Sequence, residues 1–102
     1  MKLYWTEPAV ADLAAIRDYI RRDSEFYASR FVNRLFDAAE SLVELPARGR
    51  PVPEADDPDI RELLYQGYRI MYRVEKERVV ILAIVHGARD WTHTETRPWD
   101  VV

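Results

Sequence analysis

The chain has 102 residues, 48% of them hydrophobic and 32% charged, which fits one compact domain and excludes a disordered segment. It has no cysteine, so a disulfide framework and a thiolate metal site are both excluded. A net charge of −3 argues against a protein that grips nucleic acid through a broad basic face.

Residues 1–8 lack an apolar core of signal-peptide length. The longest apolar run, residues 79–85, is far shorter than the roughly 20 residues a membrane helix needs. The expectation is a soluble cytoplasmic domain with no membrane partner. Residues 2–6 suit a short first strand, with Leu3 and Trp5 on one face. Thr6 is placed to cap a helix, Glu7 suits the positive helix end, and Pro8 is tolerated in the first turn. Ala9, Leu13, Ile16 and Ile20 then recur at helical spacing as far as about Arg22. Asp23 or Ser24 offers a second cap. After it Ala28, Phe31, Leu35, Ala38, Leu42 and Leu45 predict an amphipathic helix of about 20 residues, ended by Pro46. With almost no linker between them, the two helices form an antiparallel hairpin.

Residues 46–58 hold four of the six prolines and read as a loop. Residues 60–65 form the next strand, Gln66-Gly67 the turn, and residues 68–74 a third strand. On that third strand Tyr68, Ile70, Tyr72 and Val74 alternate with Arg69, Met71 and Arg73, so the tyrosine rings pack on the helices and the arginines point away. Residues 75–78 are a tight turn. Residues 79–85 show no alternation, which predicts a central strand covered on both faces. Residues 91–97 alternate again and read as a fifth short strand or a docked tail. The order predicts one two-layer α+β domain over residues 1–102, β-α-α-β-β-β, with the N-terminal strand and the αα-hairpin packed on a small, mainly antiparallel sheet. Exposed arginines and tyrosines are expected on the sheet face away from the helices.

Several short motifs lie along this order: Pro46-Ala47-Arg48-Gly49-Arg50 closing the second helix, Ile60-Arg61-Glu62-Leu63, Gly67-Tyr68-Arg69-Ile70-Met71-Tyr72-Arg73-Val74, and Ile84-Val85-His86-Gly87-Ala88-Arg89. Together they resemble the RelE/ParE superfamily of bacterial toxins, the toxin halves of type II toxin–antitoxin pairs. The resemblance runs from the first strand to Arg89. It implies a cognate antitoxin as partner in a hetero-oligomer, and one of two targets. The RelE branch cuts messenger RNA on the ribosome; the ParE branch inhibits DNA gyrase, with growth arrest as the consequence. RNA cleavage requires groups that activate the 2′-hydroxyl, stabilise phosphate charge and protonate the leaving oxygen. RelE-like enzymes supply paired lysines, two arginines and a C-terminal tyrosine. Aligned on Gly67-Tyr68-Arg69, the lysine positions fall on Ile60 and Glu62, and the tyrosine position falls near residues 93–95, where there is none. Other ribonucleases of the superfamily use a glutamate, an arginine and a histidine, which keeps Arg69, His86 and Arg89 open as a catalytic set.

The ParE-like reading is preferred. It needs no catalytic residue, cofactor or metal, and no direct sequence-specific contact with nucleic acid. It assigns Arg61, Arg69, Arg73, Arg89 and Trp91 to the target. It assigns Tyr19, Phe26 and Val32 to the antitoxin, which also covers Arg69, Arg73 and Arg89. A salt bridge from Arg69 or Arg73 to Glu62 or another carboxylate of the sheet is the structural alternative. For Arg48 and Arg50 the alternative is the carbonyl end of the second helix. His86, Asp90 and His93 lack the fixed spacing of a metal site. Trp91 and Trp99 are expected to dock on the body, and the acidic run from Glu54 to Asp59 to be a solvated loop, with pairing to arginines of its own sheet as the alternative.

Overall fold

The computed structural model describes residues 1–87 and 97–100. Its elements in chain order are β1 (Lys2–Trp5), α1 (Glu7–Arg21), α2 (Glu25–Glu40), β2 (Arg50–Pro51), β3 (Ile60–Tyr65), β4 (Tyr68–Val74) and β5 (Arg78–His86). Short 3-10 turns cover Ser41–Val43, Pro46–Arg48 and Pro98–Asp100. The strands form one five-stranded sheet in the order β1-β5-β4-β3-β2. β1 runs parallel to β5, and the other pairs are antiparallel. The two helices pack on one face, giving the expected two-layer α+β arrangement.

Thr6 begins α1 and also ties it to the sheet. Its hydroxyl accepts from the Ala9 amide at 3.3 Å and donates to the Ile81 carbonyl at 2.8 Å, so one buried side chain caps the helix and sets its distance from β5. Ser24 caps α2 by accepting from the Tyr27 amide at 3.1 Å. The second helix is shorter than the apolar stripe: it stops at Glu40 and continues as a 3-10 turn that still buries Leu42. The Ser41 hydroxyl donates to the Ala38 carbonyl there and accepts from Arg48, so Arg48 does meet the C-terminal end of the helix.

Between helices and sheet lies a core of Ala9, Phe31, Leu35, Leu42, Ile70 and Tyr72, extended by Val79, Ile81 and Ile84 of β5. β5 has neighbours on both sides, as its unbroken apolar run predicts. That run hides a change of face. Met71 pairs with Ala83 but Tyr72 pairs with Ile81, which leaves Leu82 as the extra residue of a β-bulge. Before the bulge, Val79 and Ile81 face the helices; after it, Ile84 does, while Val80, Leu82 and Val85 pack on the other side.

The β3–β4 hairpin turns through Gln66 and Gly67, both at positive φ (44° and 87°), the geometry whose twist matches the flanking strands. Two expectations are corrected. Residues 46–58 are not only loop, since Arg50 and Pro51 pair with Glu62 and Arg61 as an edge strand too short to show periodicity. The sheet face away from the helices is not an open field of arginines. Val52, Ile60, Met71, Val80, Leu82 and Trp99 form a second buried cluster there. Trp99 docks on the body as expected. The strand or tail predicted over residues 91–97 lies, apart from Arg97, outside the described residues. Among the described residues no helix is long and apolar enough to cross a membrane.

Candidate functional site

The charged groups singled out in the sequence converge on β3 and β4. Strand alternation turns Glu62 and Arg69 toward the face opposite the helices, and the β3–β4 register places them diagonally across neighbouring strands. Arg69 Nε donates to Glu62 Oε1 at 2.5 Å. Its two terminal nitrogens take the carboxylate of Glu54, Nη2 to Oε1 at 2.9 Å and Nη1 to Oε2 at 3.2 Å. The second oxygen of Glu62 accepts from Arg50 Nε at 2.7 Å. The result is a chain of alternating charge, Glu54–Arg69–Glu62–Arg50. Its centre is dry: the Glu62 side chain is 0% exposed and that of Arg69 is 6% exposed. Its ends are wetter, with Glu54 at 17% and Arg50 at 63%.

Burial by itself opposes the charge on Arg69, but the bonds and attraction of Glu54 and Glu62 outweigh it and raise its pKa above the ordinary value. The guanidinium is therefore a fixed cation. A shallow groove of about 530 Å³ opens beside it, lined by Arg50, Pro53, Glu54, Leu64, Tyr68 and Arg69 among others. At the groove end Gly87 donates its amide to the Gly67 carbonyl at 2.7 Å, and a Cβ on Gly87 would stand 3.0 Å from that oxygen. His86 lies just before it, exposed, with its ring edge-on to Tyr68 at 6.0 Å between centroids.

Arg73 follows the same face. Its Nη2 donates to the Trp99 carbonyl at 2.9 Å, and Nη1 stands 4.0 Å from Asp57 Oδ2. Arg61 is on the helix side, opposite Tyr72, and its guanidinium donates to the Gly49 carbonyl at 3.0 Å from Nε and 2.7 Å from Nη2. Arg61 thus helps hold the segment leading into β2. Tyr72 completes that hold: its hydroxyl accepts from the Gly49 amide at 2.9 Å and donates to the Pro46 carbonyl at 2.7 Å. Burial pushes the Tyr72 phenol above its ordinary pKa, against the opposing effect of the Gly49 bond. Gly49 has no room for a side chain, because a Cβ would run into the Glu62 carbonyl and the Tyr72 hydroxyl.

Arg69 and Arg73 therefore share a face with Glu54, Glu62 and Asp57, and Arg61 stands apart on the other side. Arg89 and Trp91 lie outside the described residues, as do Asp90 and His93. On the helical hairpin, Tyr19 and Phe26 are exposed at 68% and 72%, while Val32 is half-buried. Arg50 as a partner of Glu62 escaped the sequence reading, because nothing in a two-residue strand announces its register. The anchoring role of Gly49 and Tyr72 escaped it for the same reason.

Comparison with known proteins agrees with the geometry. The family model described as the ParE toxin of the type II toxin-antitoxin system, parDE, matches residues 3–91. The chain belongs to this toxin family. It lies within the RelE/ParE superfamily, as the motifs implied. It is 44% identical over 89 residues to Toxin RelE2 of Caulobacter vibrioides, a match covering 86% of this chain and 97% of that one. Its fold superposes on a chain of the chromosomal ParDE TA system from P. aeruginosa with a TM-score of 0.71 and 28% identity, covering 84% of this chain and 95% of that one. A chain of the toxin-antitoxin complex RelBE2 from Mycobacterium tuberculosis shares the fold alone, at a TM-score of 0.63 and 24% identity over 83% of this chain and 95% of that one.

Proposed function

We propose that this toxin inhibits DNA gyrase in the ParE manner and is held inactive by a cognate antitoxin in a hetero-oligomer. The observation that carries the choice of target is Glu62. It stands at one of the two positions where RelE-like nucleases place a lysine, and it is a buried carboxylate bonded to Arg69. A carboxylate there repels a phosphate, and the partner position, Ile60, is a buried aliphatic side chain. Arg69 already carries two carboxylates, so little of its field is left to stabilise charge building on a scissile phosphate. Poisoning a protein target needs surface complementarity and none of that chemistry. The groove beside Arg69 and the partly exposed Arg73 are the described parts of the target surface, and Arg61, Arg89 and Trp91 extend the assignment.

Purified protein added to a gyrase supercoiling assay should abolish supercoiling, and the same preparation added to translating ribosomes should leave messenger RNA intact. Messenger cleavage without loss of supercoiling overturns the proposal in favour of a ribosome-dependent endoribonuclease built on Arg69, His86 and Arg89.

The antitoxin assignment is supported by the complexes in which similar folds occur and by the apolar side chains on the hairpin. Tyr19 and Phe26 offer anchors for a helix of the partner, and acidic side chains of the partner suit the arginines. Co-expression with the antitoxin should raise soluble yield and abolish toxicity. A complex that leaves both the hairpin and the arginine face uncovered would refute it.

A further inference from the structure

Residues 52–59 cross the sheet face that carries Arg69 and Arg73, and the manner of their attachment is informative. The segment is anchored at its ends, where the Val52 amide donates to the Ile60 carbonyl at 2.9 Å and Val52 is buried in the second apolar cluster. Asp59 is also tied to β4, its carbonyl accepting from the Val74 amide at 2.9 Å, and within the segment the Ala55 amide donates to the Val52 carbonyl and the Asp59 amide to Asp57 Oδ1. Ahead of that bond, side chains reach across to β4: Glu54 to Arg69 and Asp57 toward Arg73, with Ala55 against the apolar cluster. At its apex Asp56 is held at a φ of 50°, in the left-handed region that a non-glycine residue rarely adopts. Two acids of one segment thus face the two arginines of one strand.

Among the described residues Arg69 consequently has two carboxylate partners of different character. Glu62 is on a strand, wholly buried and shared with Arg50, so it is a permanent partner. Glu54 is on the crossing segment, 17% exposed, and borders the open groove of about 530 Å³. It sits on the guanidinium as a two-pronged carboxylate, the geometry an acidic side chain from outside would also adopt.

We propose that residues 52–59 are a self-masking strap: Glu54 is a built-in competitor that fills the carboxylate seat of Arg69 in the free chain, and an acidic segment of a partner enters the groove by displacing it. Exchange of one carboxylate for another keeps both ends of the guanidinium paired, and Glu62 alone already keeps its charge from being stranded when Glu54 leaves. Glu62 stays in place during the exchange. The inference rests on the ion pairs and the groove, and it holds whichever target the toxin acts on.

The test uses the full chain and a capped, fluorescently labelled hexaglutamate peptide as probe. Glu54→Gln frees the outer seat and should tighten probe binding at least tenfold by fluorescence anisotropy, with faster deuterium uptake at the amides of residues 54–57. Glu44→Gln, which removes an exposed charge elsewhere, should leave the affinity within twofold of the parent and so controls for net charge. Affinity of Glu54→Gln within twofold of the parent overturns the proposal, as does a gain matched by Glu44→Gln. Should Glu54→Gln fail to fold, Asp57→Asn decides instead: a gain of about threefold supports the strap, and no gain overturns it.

Discussion

The two faces of the sheet are closed by different physics. On the helix side, Leu35, Ile70, Tyr72 and Ile81 are wholly buried in a core whose stability scales with apolar area removed from water. On the other side the same strands bury Glu62 and Arg69 next to a smaller apolar cluster, and among the described residues the cover is a loop and a 3-10 turn rather than a helix. The first face tolerates volume-conserving exchange, since any apolar group of the right size serves. The charged part of the second does not, because each charge is acceptable only while its partner is in place. A toxin needs one face that holds the fold and another that carries recognition. In this chain the helix side does the first, and under the proposed function the ion-paired side, with Arg69 and Arg73, is the one assigned to the second.

That contrast is broken most directly at its centre. Glu62→Ala takes from Arg69 its wholly buried carboxylate, leaving the guanidinium on Glu54 with Nε unpaired by Glu62, and takes from Arg50 its partner, and should cost about 3–5 kcal/mol. Replacing the pair together, Glu62→Leu with Arg69→Met, should recover most of that loss while removing the charge. Urea denaturation of the three proteins is the measurement. If Glu62→Ala costs under about 1 kcal/mol, the buried pair is not what holds that face together.

On the helix face the matching probe is Leu35→Ala, which should cost about 2–5 kcal/mol as lost burial plus a cavity. It should leave probe binding at the Arg69 groove unchanged, since Leu35 belongs to the core between helices and sheet. A mutation there that altered the groove would show the faces to be coupled.

Much of this was legible beforehand, and the two faces differ in how much. Helix spacing and strand alternation report which residues are apolar and with what period, so the helix-side core, the cap at Thr6, a second cap at Asp23 or Ser24 and the turn at Gln66-Gly67 all follow from pattern. The charged face was only half legible. Alternation put Arg69 and Arg73 on the correct side, with Glu62 or another carboxylate of the sheet as an alternative partner, but burial of Arg69 depended on the path of residues 52–59, which has no period. The bulge at Leu82 was invisible in an unbroken apolar run. The pairing of Arg50 with Glu62 came from a strand only two residues long.

Tyr72 joins the two regions, with its ring in the helix-side core and its hydroxyl holding Gly49 and Pro46. Tyr72→Phe leaves the ring and strands the Gly49 amide, so a loss of about 1–3 kcal/mol is expected. The sign of its pH dependence follows from the raised pKa. In the unfolded chain the phenol ionises near the usual value of about 10, while the folded chain resists ionisation. Its contribution is therefore fully present below about pH 10 and lost as pH rises from there through the folded value. Thermal melts between neutral and alkaline pH should show a falling midpoint in the parent, and a smaller fall in Tyr72→Phe. Equal slopes would mean that the phenol is not the group responsible.

The smallest effect is expected at the outer end of the charge chain. Arg50 makes a 2.7 Å bond to Glu62, as short as many buried bonds, yet its side chain is 63% exposed. Arg50→Ala leaves Glu62 paired with Arg69, so no buried charge is stranded, and what is lost is a solvent-screened contact worth about 0–1 kcal/mol. Salt distinguishes this contact from the inner pair. Added sodium chloride should erase the difference between Arg50→Ala and the parent, because ions screen exposed charges. The deficit of Glu62→Ala should persist, because it arises from desolvated groups that ions do not reach. If the Arg50→Ala deficit exceeded about 2 kcal/mol, or survived in salt, the dry region of the network would extend to the groove rim. Arg50 would then belong with Glu62 and Arg69 as part of the fold instead of the surface presented to a partner.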